Sequence, residues 1–112
     1  MSPTFVYRGE KLWLLLGSPG GPTIITSVAQ VILNKIDHGM SIGEAVKAPR
    51  FHHQWPPPSR DEDPISAEPG IEIPKGYTLR RRRLGDVQAI EIDGGRAIGA
   101  PDPRGIGKAV SE

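Results

Sequence analysis

Cysteine is absent from the 112-residue sequence, and tryptophan, tyrosine and phenylalanine occur only twice each. Without cysteine the chain has neither a disulfide framework nor thiolate chemistry, and a location in the cytosol, the periplasm or the medium stays open. Neither sign of charge is in large excess, because the 14 Lys and Arg residues are nearly balanced by 13 Asp and Glu residues, which gives a formal net charge of +1. The overall charge therefore gives no reason to expect nucleic acid or an anionic membrane as a partner.

Long apolar runs are missing as well. The longest, at residues 12–16, is far below the ~18 residues that a membrane-spanning helix needs, so no membrane segment is expected. The first six residues contain neither a basic opening with an apolar stretch nor a small-residue cleavage site, so no export signal is expected. Glycine and proline, in contrast, are abundant at 14 and 12 residues. They favour many turns and short elements, and the length sets one domain as the upper limit.

Strands and helices are predicted first in the N-terminal half. Residues 4–7 and 12–16 are rich in β-branched, aromatic and apolar residues, and the polar connection between them contains Gly9, which favours a hairpin. After a glycine-rich loop, a helix is predicted from Pro22 to about His38. Its apolar surface is wide enough to predict packing on more than one side. The residues at helical spacing are Ile25, Val28, Ala29, Ile32 and Ile36.

A second, shorter helix is predicted to open at Ser41, because Glu44 follows it at the spacing of a capping box. The proline-rich and acidic composition of residues 56–64 predicts an exposed, mobile loop. Gly94 and Gly95 predict a hairpin turn near the C-terminus. The remaining predicted strands are residues 65–67, 77–84, 87–92 and 96–100.

The loop at residues 17–21, Gly-Ser-Pro-Gly-Gly, is the clearest candidate for a chemical site. A strand that leads through such a loop into a helix places backbone N–H groups at the positive end of the helix, where negative charge is stabilised. Glycine lets a substrate oxygen approach the peptide plane, and one donor of an oxyanion hole contributes ~2.7–4 kcal/mol to a transition state. The alternative is a purely structural turn, and the motif alone specifies no reaction.

Histidine offers little for a metal site. His52 and His53 are adjacent, so on an extended segment their side chains point to opposite faces. Without cysteine, and with His38 as the only other histidine, a zinc site would have to draw on carboxylates. Ordinary packing or hydrogen bonding is therefore favoured, and no metal or other cofactor is expected.

Charged residues form two further candidates. Four arginines run from Arg80 to Arg83 and could meet phosphate, but on a strand they divide between two faces, and a solvated or salt-bridged strand is favoured. Few aromatic residues lie nearby for base stacking. Asp102 and Arg104 could bind a charged substrate or could fix the chain terminus by pairing, and the second alternative is favoured.

Four motifs in combination resemble the C-terminal part of the small subunit of gamma-glutamyltransferase. Each motif alone is weak, but their order and spacing match that family through Trp55, and the resemblance spans nearly the whole chain. They are Met-Ser-Pro-Thr at residues 1–4, Gly-Ser-Pro-Gly-Gly at 17–21, Ala-Pro-Arg-Phe-His-His-Gln-Trp at 48–55 and Asp-Pro-Arg at 102–104.

The resemblance implies an α+β fold, namely part of the four-layered αββα sandwich of the N-terminal nucleophile hydrolases. Such enzymes cut themselves to expose a threonine, which attacks the gamma-glutamyl amide of glutathione and related compounds. Water or an acceptor amino acid or peptide then resolves the acyl-enzyme. By this resemblance the N–H groups of Gly20 and Gly21 form the oxyanion hole, an assignment that agrees with the chemistry expected of the loop.

The resemblance also implies that catalytic parts lie outside residues 1–112. In the family, the nucleophile and a serine pair that binds the substrate carboxylate precede the residues that match the N-terminus of this chain. None of its threonines at positions 4, 23, 26 and 78 inherits the nucleophile role. We therefore expect the chain to be inactive alone and to require the large subunit and the N-terminal part of the small subunit.

Met1 as a false start in a longer reading frame is an open alternative. Family enzymes commonly act in the periplasm or outside the cell.

One segment departs from the family pattern. Between residues 65 and 84 the family usually has a helix that leads to a strand, whereas this chain has a shorter stretch with Pro69 and Pro74. A layered fold completed by other polypeptide also predicts exposed apolar surfaces on the first helix and its neighbouring strands. The competing hypothesis from another class is a noncatalytic binding module that uses the strand from Arg80 to Arg83 for an acidic or phosphate partner.

Overall fold

Hydrophobic alternation and turn glycines divide the chain into short elements arranged in two sheets. The computed structural model describes residues 2–111. In chain order the elements of this part are β1 (Thr4–Arg8), β2 (Lys11–Gly17), α1 (Thr23–Ile36), α2 (Ile42–Lys47), β3 (Phe51–His53), β4 (Pro64–Ala67), β5 (Thr78–Arg81), β6 (Gln88–Asp93) and β7 (Arg96–Ala100). The mixture of helices and strands confirms the α+β class.

Two hairpins build the four-stranded sheet, whose order is β1-β2-β6-β7. Gly9 has a φ of 59° in the first turn, and Gly94 and Gly95 have φ of 55° and 83° in the second, a left-handed region that favours glycine. Strands β2 and β6 pair antiparallel in the centre, with Leu16 opposite Ala89. Both predicted hairpins are confirmed, and the pairing of β2 with β6 unites the N-terminal and the C-terminal hairpin in one sheet.

The core lies between one face of this sheet and the two helices. Its buried side chains are Trp13, Leu14, Leu16, Val28, Val31, Ile42, Ala45, Val46, Val87, Ala89 and Ala100. Helix α1 turns Val28 and Val31 toward the sheet, whereas Ile25 and Ile36 are 77% and 55% exposed. Helix α1 nevertheless contacts α2 and β3 as well as β2, so it packs on more than one side, as predicted.

Local capping signals set the helix ends. Gly39, with a φ of 60°, follows α1. The backbone N–H of Glu44 donates to Ser41 Oγ at 3.2 Å, and the N–H of Ser41 donates to Glu44 Oε2 at 3.0 Å. This reciprocal pair is the predicted capping box. The Asn34 side chain donates to the carbonyl of Ala45 at 3.2 Å and ties α1 to α2.

The second sheet has the order β3-β4-β5, with β3 antiparallel and β5 parallel to β4. Strand β5 ends at Arg81, so the predicted strand at 77–84 is too long. Its only partner strand among the described residues, β4, ends at Ala67, which pairs with Arg81, and beyond this point Leu84 donates its N–H to Glu68 Oε1 at 2.9 Å. In the described chain, the connection between β4 and β5 contains no helix, in line with the predicted departure at residues 65–84.

The opposite face of the four-stranded sheet is largely uncovered. Phe5 and Ile90, which flank Leu15 on this face, are 54% and 42% exposed. The C-terminal segment crosses its β6-β7 side, where Ala109 packs so close to Gly99 that an added Cβ at Gly99 would lie 2.8 Å from it. Over residues 2–111, no helix has the length and apolarity to cross a membrane.

Candidate functional site

The glycine loop joins β2 directly to α1. Gly20 has a φ of 130° and Gly21 a φ of 56°, values that side-chain-bearing residues rarely adopt. The N–H and the hydroxyl of Thr23 both donate to the carbonyl of Gly20, at 3.2 and 2.8 Å. The N–H of Ile24 donates to the carbonyl of Gly21 at 3.1 Å. The carbonyls of the loop thus face into the first turn of the helix.

The N–H groups of the same two glycines are free. Within residues 2–111, neither the N–H of Gly20 nor that of Gly21 donates to a protein acceptor, and both residues are exposed. They stand at the N-terminus of a 14-residue helix whose first turn carries no acidic residue. Two adjacent donors at the positive end of a helix can hold an anionic oxygen.

Buried contacts fix the loop from below. Ser18 is fully buried, donates its hydroxyl to the carbonyl of Pro19 at 2.7 Å and accepts the N–H of Asp86 at 3.1 Å. Gly85, with a φ of 71°, packs so closely that an added Cβ would lie 2.7 Å from Ser27 Oγ and 3.0 Å from Ser18 Oγ. The segment that precedes β6 therefore determines where the glycine loop lies.

A buried cluster of four charged side chains, which we call the charge cluster, lies beside this segment. It consists of Arg50, Glu68, Asp102 and Arg104. The Arg50 Nη1 to Asp102 Oδ2 distance is 2.8 Å, and the Arg104 Nη1 to Asp102 Oδ1 distance is 3.0 Å. Arg104 also forms an ion pair with Glu68. Of the two hypotheses for Asp102 and Arg104, these contacts favour the structural role at the chain terminus.

Backbone donors complete the charge cluster and set its protonation. Asp102 accepts the N–H of Val87 at 2.7 Å and that of Arg104 at 2.9 Å. Glu68 accepts the N–H groups of Arg50 and Leu84, both at 2.9 Å. Burial alone would raise the pKa of both carboxyls, but these hydrogen bonds and the arginine charges outweigh it and hold both pKa values below their ordinary range. The hydrogen bond to Glu68 in turn raises the pKa of Arg104.

The two adjacent histidines point to opposite faces, as predicted. His52 is buried, with its Nδ1 2.8 Å from Thr26 Oγ1 and its Nε2 2.9 Å from Gln54 Oε1. His53 lies on the other side, with its Nε2 2.6 Å from Asp63 Oδ1. Among the described residues, no group of three or more histidine and acidic side chains converges as a metal-ion site would require.

The run from Arg80 to Arg83 divides between two sides. Arg80 pairs with Glu62 at 2.9 Å on the outer loop, and both side chains are about half exposed. Arg81 instead donates Nη1 to the carbonyls of Glu68 and Ile71, at 2.7 and 3.0 Å. Arg83 donates Nη1 to a carbonyl of the C-terminal segment at 2.9 Å. The predicted division between faces and the predicted salt-bridging are both present.

Sequence reasoning gave no individual role to three contributors, Ser18, Arg50 and Glu68. A single acidic residue directly after the apolar positions of β4 was the signal available for Glu68, since a carboxylate there requires a buried cation. Ser18 offered no local signal, because its partner Asp86 lies 68 positions away.

A comparison with known families agrees with the motifs. The gamma-glutamyltranspeptidase family model matches residues 1–112. The chain belongs to this family. It is 40% identical to the glutathione hydrolase proenzyme of Escherichia coli (strain K12) over 115 residues, which cover 95% of the chain and 19% of that protein. The chain thus spans about a fifth of the length of this family member.

Solved structures show the same fold. The gamma-glutamyltranspeptidase from Pseudomonas nitroreducens matches with a TM-score of 0.84 and 35% identity, over 100% of this chain and 62% of the solved one. A cephalosporin acylase from Bacillus halodurans matches with a TM-score of 0.74 over 91% of this chain and 20% of the other. At 24% identity, this second likeness concerns the fold alone.

Proposed function

We propose that this chain is part of a gamma-glutamyltransferase, or glutathione hydrolase, in which the N–H groups of Gly20 and Gly21 form the oxyanion hole. The observation that carries the proposal is the pair of adjacent donors at the start of α1, free of protein acceptors within residues 2–111. Family membership supports the substrate class, which is a gamma-glutamyl amide such as glutathione.

The chemistry needs two fixed donors at one point. When a threonine hydroxyl attacks the gamma-glutamyl carbonyl, the carbonyl oxygen gains the negative charge of a tetrahedral intermediate. Donors that are already in place stabilise that charge without reorganisation, at ~2.7–4 kcal/mol for each donor. Collapse of the intermediate releases the amine and leaves an acyl-enzyme, which water or an acceptor amino acid resolves. The nucleophilic threonine belongs, in this proposal, to polypeptide outside residues 1–112.

The uncovered sheet face supports the need for that polypeptide. On this face Phe5 and Ile90 are 54% and 42% exposed, an apolar surface that a packing partner would bury. In an αββα sandwich, a second sheet from the rest of the protein covers such a face. We infer that the missing part packs here. The resemblance also favours a periplasmic or extracellular location for the complete enzyme.

The first test is complementation. Hydrolysis of a chromogenic gamma-glutamyl anilide is measured with the purified chain alone and after co-expression with the large subunit and the upstream small-subunit part of a homologue. Activity is expected only in the complemented sample. Activity of the chain alone would show that the nucleophile is present, and silence in both samples would contradict a catalytic role.

A matched pair of variants tests the oxyanion hole itself. Gly21 and Gly9 have nearly the same φ, 56° and 59°, and an added Cβ would meet nothing within 4 Å at either position. Alanine therefore costs both sites a similar backbone strain of about 1–2 kcal/mol. Gly21→Ala should lower kcat of the complemented enzyme because its methyl group would stand where the substrate oxygen approaches the donor. Gly9→Ala should keep the activity, and equal losses in the two variants would refute the assignment.

A further inference from the structure

A cleft of about 520 Å³ lies beside the charge cluster, where the end of α2, the β4-β5 connection and the C-terminal segment meet. Its volume falls in the range of small-molecule sites, roughly 300–1,000 Å³. Three prolines form part of its wall, and no aromatic side chain of the described residues lines it. The charged lining residues are Lys47, Glu68, Arg81, Arg82, Arg83 and Arg104.

The charges of this lining do not balance. Glu68 is its only carboxylate among the described residues, and Glu68 is already paired with Arg104. The remaining four cations, Lys47 and the three arginines of β5 and its extension, form no ion pair within residues 2–111. Like charges held together repel each other unless a counter-ion binds between them. The cleft therefore favours an anion with more than one negative charge.

Two of these arginines are held in place by neutral acceptors. Arg81 donates Nη1 to the carbonyls of Glu68 and Ile71, and Arg83 donates Nη1 to the carbonyl of Arg104. A guanidinium has five N–H donors in a planar fork, so each side chain keeps further donors for a ligand. Fixed forks match the oxygens of phosphate in geometry as well as in charge.

We propose that this cleft binds a diphosphate or a comparable phosphate group, independently of the gamma-glutamyl site. The cations that close on the ligand are Lys47 and Arg82. Both are exposed, and neither side chain donates a hydrogen bond within the described residues. Arg80 is excluded from the site because it pairs with Glu62 on the outer loop. Without aromatic residues to stack a base, the phosphate group itself is what the cleft recognises.

The test is calorimetric titration of the full 112-residue chain with inorganic diphosphate at an ionic strength of about 0.15 M, where exposed charges more than ~8 Å apart are largely screened. One saturable site is expected. Lys47→Gln and Arg82→Gln should each weaken binding by about tenfold or more, the effect of losing one charge-assisted hydrogen bond. Within residues 2–111 neither side chain forms an ion pair with another protein group, so both variants should retain the circular dichroism spectrum of the parent chain.

Two control variants remove the same charge elsewhere. Arg80→Gln removes the charge that pairs with Glu62, and Arg60→Gln acts at an exposed position of the loop before β4. Both should bind diphosphate within about twofold of the parent, because distant exposed charges are largely screened. Equal weakening by the controls would show a diffuse charge effect and overturn the site. Absence of saturable binding to the parent chain, or binding only of long polyanions such as an oligonucleotide, would overturn it as well.

Discussion

Replacing Asp102 by asparagine should destabilise the chain more than any exposed charge change. The amide keeps the size of the side chain but removes the charge that faces Arg50 Nη1 at 2.8 Å and Arg104 Nη1 at 3.0 Å. Arg50 is 1% exposed, and its Nε already has no hydrogen-bond partner within the described residues. In Asp102→Asn its guanidinium therefore stays buried without the carboxylate that now contacts it.

The expected loss in the free energy of unfolding depends on how deeply the ion pair is buried rather than on the distance between its atoms. Removing one partner of a buried ion pair costs about 3–5 kcal/mol, since the other charge is left uncompensated. The Arg80–Glu62 pair has nearly the same separation, 2.9 Å, but its side chains are 50% and 51% exposed. Breaking an exposed pair costs only about 0–1 kcal/mol. Arg80→Gln is therefore the matched control.

Urea unfolding followed by circular dichroism measures both variants. Asp102→Asn should lower the free energy of unfolding by several times the loss in Arg80→Gln. If the two losses are equal, the charge cluster does not stabilise the fold in the way its burial indicates, and the reasoning from burial fails.

Two further predictions concern pH and the contact beneath the glycine loop. The folded pKa values of Glu68 and Asp102 lie below their ordinary values, so their stabilisation is complete above the unfolded pKa values of about 4 and is lost as pH falls through the folded ones. When unfolding is measured at pH values from 7 to 2, the urea concentration at the midpoint should therefore begin to decrease once the pH is below about 4. In Glu68→Gln this decrease should be smaller. Gly85→Ala should lower both the thermal midpoint and the complemented activity, because its Cβ would lie 2.7 Å from Ser27 Oγ. Gly95→Ala, with a φ of 83° and nothing within 4 Å of the added Cβ, is the control for backbone strain, and equal activity losses would contradict the prediction.

Local backbone chemistry made much of the fold predictable. The hairpin glycines at positions 9, 94 and 95 all have positive φ, and the capping box at Ser41 forms as its spacing indicates. These features depend on residues within a few positions of each other, so the sequence contains the whole signal. The glycine loop was predictable as a candidate site for the same reason.

Tertiary packing decided what local patterns left open. The apolar residues of α1 surround most of the helix, and only the position of the sheet determines that Val31 is buried while Ile25 is exposed. The partner of Glu68 was hidden because Arg104 lies 36 positions away. The end of β5 at Arg81 likewise depends on a distant partner, because β4 ends at Ala67, the residue that pairs with Arg81.

Residues 84–87 connect the charge cluster to the glycine loop. Their first N–H donates to Glu68 at 2.9 Å, the third to Ser18 Oγ at 3.1 Å and the fourth to Asp102 Oδ2 at 2.7 Å. Between these bonds, Gly85 packs against Ser18. The segment is thus held by two buried carboxylates on one side and supports the loop on the other. Because the segment cannot shift away from Asp102 without disturbing Ser18, Asp102→Asn should lower the complemented activity as well as the stability, although Asp102 belongs to no part of the proposed oxyanion hole.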